Sequence, residues 1–142
     1  MEDDDYILWA KGIVKEASVF GESLSLERLI EARLGGKSIH ITDKVGNLGF
    51  SRTLHMILYH VNIGFPVVDR GSMIIAPVLD MKPRDGGAEE GAEEYNRFSD
   101  PPPRFKEKVY YLTMKEDRDG YVYAAIVNWE FMDGEGIGVC EI

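Results

Sequence analysis

Leu54-His55-Met56-Ile57-Leu58-Tyr59-His60-Val61-Asn62-Ile63-Gly64-Phe65-Pro66 is the stretch on which the reading of this chain turns. It reads as an apolar strand into which two histidines and an asparagine have been set. Strand side chains alternate faces with a period of two. Met56, Leu58, His60 and Asn62 are therefore expected on one face, and His55, Ile57, Tyr59, Val61 and Ile63 on the other. His60 and Asn62 then stand side by side where the apolar run ends. A polar pair in that position can present hydrogen-bonding groups to a small polar ligand. The same pair can instead satisfy backbone groups at the strand's end.

The sequence to either side has the same period. Ile7 to Phe20 alternates loosely and stops at Gly21. Leu24, Leu26, Arg28, Ile30, Ala32 and Leu34 recur at every second position before Gly35-Gly36, and Ile39, Ile41, Asp43 and Val45 continue the pattern. Asn47-Leu48-Gly49 reads as a turn. Further strands are expected over Ser72 to Val78, Lys108 to Met114, Tyr121 to Val127 and Gly136 to Ile142. Asp119-Gly120, between two of them, is a hairpin signal. Short strands punctuated by Gly, Asn and Asp predict an all-β, antiparallel sandwich in a single domain over residues 1–142.

Residues 82–104 differ in kind. Ala88 to Phe98 carries four glutamates, then Tyr95 and Phe98, and predicts one short helix despite Gly91. Asp100-Pro101-Pro102-Pro103 ends it. This excursion is either a solvated acidic loop docked by Tyr95 and Phe98, or the rim of a ligand cleft.

Composition removes several function classes. The 142 residues carry 16 basic and 25 acidic side chains, a formal charge of −9. Nucleic-acid binding needs clustered Lys and Arg to displace counterions, so neither nucleic acid nor an anionic membrane surface is an expected partner. The acidic start Met1-Glu2-Asp3-Asp4-Asp5 is unlike the basic start of a signal peptide. No apolar run reaches membrane-spanning length, and a cytoplasmic location is the expectation. Cys140 has no disulfide partner and reads as a small buried apolar side chain.

There is no phosphate-binding loop, dinucleotide fingerprint, nucleophile elbow or zinc-protease motif, and no cofactor is expected. A pairing of Cys140 with a histidine as nucleophile is disfavoured by its strand context. His55 and His60 differ by five positions and face opposite sides of a regular strand, so no metal site is expected. Acid–base chemistry remains, because an imidazole exchanges a proton near neutrality.

Three blocks in order carry a family resemblance: Gly21 to Arg28, Ile39 to Phe50, and His55 to Pro66, with Val127-Asn128 and Gly134 to Val139 later. Together they resemble the galactose mutarotase-like superfamily, in particular its aldose 1-epimerase-like branch, over roughly Gly12 to Val139. The resemblance implies a β-supersandwich that binds sugars across a large sheet. In its catalytic members a strand histidine protonates the sugar ring oxygen while a carboxylate takes the anomeric proton. His60 matches the acid, with Asn62 beside it and His55 as the competing assignment. Arg52 and Arg70 flank the block, and Arg70 is a candidate contact for an anionic group.

The departures from the family also bear on function. Members are longer, and their catalytic glutamate lies in a late strand, in a Glu-Pro context that this chain lacks. Glu135 and Glu141 are carboxylates near the end but not in that context, and Glu141 is expected to fray. The chain thus reads as the middle of such a protein. The expectation is a carbohydrate-binding, aldose 1-epimerase-like protein with little or no catalysis. An active epimerase, or a sandwich used only for interactions, are the alternatives. Open sheet edges predict pairing with a second copy.

Overall fold

The computed structural model describes residues 6–142; the acidic start at residues 1–5 lies outside them. The chain forms two units, Met1–Tyr59 and His60–Ile142.

The first unit is a three-stranded antiparallel sheet. β1 (Ile7–Ala17), β2 (Ser23–Arg33) and β3 (Ile39–Asn47) lie in chain order with β2 in the middle. The sequence expectation holds closely, and β1 stops three residues before Phe20. The register sets Ala10 against Ile30 and Ile30 against Ile41, and equally Val14 against Leu26 and Leu26 against Val45. One face of the sheet is therefore an apolar stripe, as the period of two dictates. Arg28 and Asp43, also paired across strands, sit in its middle. The opposite face is more polar and carries an ion pair between Lys11 and Glu27 at 3.0 Å. Asn47 closes the expected turn, its Oδ1 accepting from the Gly49 amide at 2.9 Å.

The second unit contains two small antiparallel sheets. β4 (Met73–Ile75), β7 (Ala124–Asn128) and β8 (Ile137–Glu141) form one, with β7 central, and β5 (Val78–Pro83) pairs with β6 (Tyr110–Met114) to form the other. Val67 and Ala88 are the buried apolar side chains among the described residues, and both lie in this unit. Glu141 is paired with Ala124 in β8 rather than frayed.

Four local expectations need correction. Residues 54–63 form no strand, because no neighbouring strand offers them backbone partners among the described residues. Asp119-Gly120 does make a turn, with Gly120 at φ 85° and Asp117 Oδ1 accepting from the amides of Asp119 and Tyr121, both at 2.9 Å. The strands on either side, β6 and β7, nonetheless pair into different sheets instead of forming a hairpin. The helix expected over Ala88 to Phe98 is two pieces, α1 (Gly86–Glu89) and a 3-10 turn (Ala92–Glu94), broken at Gly91 with φ 84°. Cys140 is exposed, not buried, because β8 is an edge strand of its sheet.

Candidate functional site

The site is built around the chain's turn from Gly64 to Met73. Ser72 is completely buried, and its hydroxyl accepts from the Asp69 amide at 2.9 Å while its own amide donates to the Asp69 carbonyl at 3.1 Å. That reciprocal pair fixes the loop carrying Arg70. The peptide bond between Phe65 and Pro66 is cis. Asn128, at the end of β7 and 3% exposed, anchors the same loop: its Nδ2 donates to the Pro66 carbonyl at 2.8 Å. Its Oδ1 accepts from the Glu130 amide at 3.1 Å, so both ends of the amide are used.

The acidic excursion docks on this loop through its backbone. Gly71 donates to the Phe98 carbonyl and Phe98 to the Ser72 carbonyl, both at 2.9 Å, and Ile74 donates to the Asn96 carbonyl at 2.7 Å. At its start, Asp85 caps α1 by accepting from the Ala88 amide at 3.1 Å, as a short acidic side chain does at a helix N-terminus. Arg84 bridges Asp85 and Glu107 at 3.0 and 3.2 Å. Further on, Lys108 Nζ donates to the Glu90 carbonyl. Tyr95 packs on Tyr110 of β6 with ring centroids 5.7 Å apart and planes tilted by 55°.

Between the loop and the excursion lies a cleft of about 720 Å³, within the usual size range of small-molecule sites. Phe65, Tyr95, Phe98, Phe105 and Tyr110 give it ring surfaces. Arg70, Arg97 and Lys108 supply cations, and Asp69, Glu94 and Asp100 supply carboxylates. Arg70 pairs with Asp100 at 3.3 Å, and both side chains are more than two-thirds exposed. Such a pair is weakly held, so either partner can turn to a ligand at little cost. Aromatic faces beside hydrogen-bonding charges suit a ligand with apolar C–H faces and a hydroxyl rim.

The structure places the sequence candidates unevenly. Arg70 lines the cleft. His60 and Asn62 open the same unit on the irregular stretch before Phe65; both are exposed, and neither side chain makes a hydrogen bond among the described residues. His55 is exposed and belongs to the first unit. The excursion read as a loop or a rim forms one wall of the cleft. Sequence reasoning passed over Arg97, Lys108 and Tyr110, whose generic strand and loop contexts carry no signal, and over the anchoring role of Asn128.

The first unit has its own polar cluster. Arg28 grips Asp43 with two hydrogen bonds of 2.7 and 2.6 Å, and Tyr59 donates its hydroxyl to Asp43 Oδ2 at 2.7 Å. The guanidinium also sits 5.7 Å from the Tyr59 ring centroid. The Arg28 and Tyr59 hydrogen bonds hold the Asp43 carboxyl down at about 2, and the Asp43 carboxylate raises the Tyr59 hydroxyl. The cluster pins the irregular stretch to the sheet.

Residues 1–138 match the model of the family described as "Domain of unknown function (DUF4432)". The chain belongs to that family. No curated protein matches it. Among solved structures, the chain is similar to a protein of Klebsiella pneumoniae subsp. pneumoniae provisionally named an aldose 1-epimerase. The two are 24% identical with a TM-score of 0.82, over 85% of this chain and 32% of that one. The likeness shows that this chain, built of antiparallel β-sheets, shares the fold of the matched region of that protein. The DUF4432 chain spans about a third of the length of that protein. Among its described residues no helix is long and apolar enough to cross a membrane.

Proposed function

We propose that this chain is a carbohydrate-binding, aldose 1-epimerase-like protein that takes a sugar into the cleft of its second unit, with little or no anomer interconversion. The observation that carries the reading is the cleft itself: five aromatic rings and paired charges, Arg70 among them, on a fold shared with a protein provisionally named an aldose 1-epimerase. Ring faces stack on sugar C–H surfaces, and guanidinium and carboxylate groups bond to hydroxyls in directions that fix orientation. Arg70 exchanges its exposed bond to Asp100 for one to the sugar. His60 is the candidate acid toward a ring oxygen, with Asn62 orienting a hydroxyl; both belong to the second unit but stand outside the residues that line its cleft. Catalysis is weak in this reading because an acid without its partner base loses most of the rate, and no Glu-Pro carboxylate occurs among the 142 residues.

Two measurements on the same preparation test it. Calorimetric titration with galactose and with glucose should give saturable binding, while polarimetry should give no acceleration of anomer exchange. Absence of heat with both sugars refutes sugar binding. Rapid exchange that disappears in His60→Ala makes the protein an active epimerase instead.

A further inference from the structure

The three cations that line the cleft of the second unit are not equivalent. Arg70 is neutralised by Asp100 at 3.3 Å. Arg97 is exposed and Lys108 half-buried, and among the described residues neither forms an ion pair with a carboxylate. The Lys108 ammonium donates to the Glu90 carbonyl, a neutral acceptor, and an ammonium has further donors to give. Gly91, next to that carbonyl, has φ 84°, and a Cβ built there would come within 3.1 Å of Nζ. Glycine thus leaves the ammonium uncovered on that side.

The nearby carboxylates are better solvated. Asp69, Glu94 and Asp100 in the cleft, and Glu89, Glu90 and Glu93 on the excursion, are all exposed. Glu107, the chain neighbour of Lys108, is held by Arg84 at 3.2 Å. Exposed charges are largely screened beyond about 10 Å at 0.1 M salt, and partly buried ones much less. In a cleft whose formal charges balance, the least solvated charge is therefore a positive one.

We propose that the ligand of this cleft is a sugar carrying an anionic substituent, a carboxylate or a phosphate, seated on the Lys108 ammonium with Arg97 as the second cation. The inference rests on the carbohydrate reading of the cleft and narrows it to acidic sugars. Tyr95 and Tyr110, with ring centroids 5.7 Å apart, line the same cleft and offer a surface for the sugar's C–H face. The anion then makes a charge-assisted hydrogen bond, roughly twice as strong as a neutral one, to an ammonium that lacks a counter-ion.

The test is calorimetric titration of the full chain with galactose, galacturonate and galactose 6-phosphate at one salt concentration. At least one anionic sugar should bind roughly tenfold or more tightly than galactose, the scale of one charge-assisted bond. The tighter of the two identifies the anion. Lys108→Met should bring both anionic sugars down to the affinity of galactose, with the amides of β6 still protected from hydrogen exchange as proof of folding. Lys108→Arg, which retains the charge, should retain the preference. Galactose bound as tightly as both anionic sugars overturns the inference and leaves sugar binding standing. A preference that survives Lys108→Met overturns it too. Absence of heat with all three sugars removes the carbohydrate reading and this inference together.

Discussion

Replacing Asn128 by Ala should loosen the second unit at the point where its candidate site is anchored. The side chain is 3% exposed and makes two hydrogen bonds, to the Pro66 carbonyl and from the Glu130 amide. The half-buried Pro66 carbonyl loses its donor where water has poor access, whereas the Glu130 amide lies at an exposed residue and can be hydrated. The first loss carries a desolvation penalty of about 1–2 kcal/mol and the second a net bond of about 1 kcal/mol, so about 2–3 kcal/mol in all. For a unit of this size that corresponds to a fall in melting temperature of roughly 10–20 °C. Thermal unfolding followed by native-state exchange at β7 amides measures it, with Glu130→Gln, which keeps the backbone amide, as a control expected within about 0.5 kcal/mol. A loss below that control, or one that leaves the loop from Phe65 to Ser72 as protected as before, refutes the anchoring role. The consequence for function follows, since the loop carries Phe65 and Arg70 into the cleft.

Three further outcomes are expected. Asp43 is held at about 2 against an ordinary 3.8, so its contribution to the first unit is fully present above the ordinary value and fades as pH falls toward 2. Asp43→Asn should flatten that acid limb in exchange rates of β2 and β3. Arg70→Ala should weaken sugar affinity roughly tenfold, the scale of one charge-assisted hydrogen bond, without moving the melting temperature, since its ion pair is exposed; calorimetry and thermal unfolding separate the two. Gly91→Ala should cost about 1–2 kcal/mol for a side chain in the left-handed region, because Gly91 sits at φ 84° and a Cβ there would meet Lys108 Nζ at 3.1 Å; thermal unfolding reads it directly.

What the sequence reveals depends on whether the deciding information is local. β1, β2 and β3 were legible because alternation and the Gly21 and Gly35-Gly36 breaks are local signals that agree with the register. The stretch from Leu54 to Ile63 has the same alternation, and its exposures obey it, but a ladder needs a neighbour that one segment cannot specify. Asp119-Gly120 likewise encodes a turn, while the pairing of β6 with β5 and β7 with β4 and β8 is settled far away in the chain. Cys140 looks like a core residue only if its strand is interior, and β8 is an edge. In the candidate site, Arg70 was visible as a charge beside the decisive block, and Tyr95 and Phe98 as rings that had to dock somewhere. Asn128 was visible as part of a matching block, but its partner Pro66 is 62 residues away, so its role could not be read locally.

The central claim is that the ring-lined cleft holds a sugar. Galactose titrated into isotopically labelled protein, followed residue by residue by NMR, tests it most directly. Saturable shifts concentrated at Arg70, Tyr95, Arg97 and Tyr110, and lost in Arg70→Ala, are the predicted result. Shifts confined to other surfaces, or none at saturating galactose and glucose, would contradict the account.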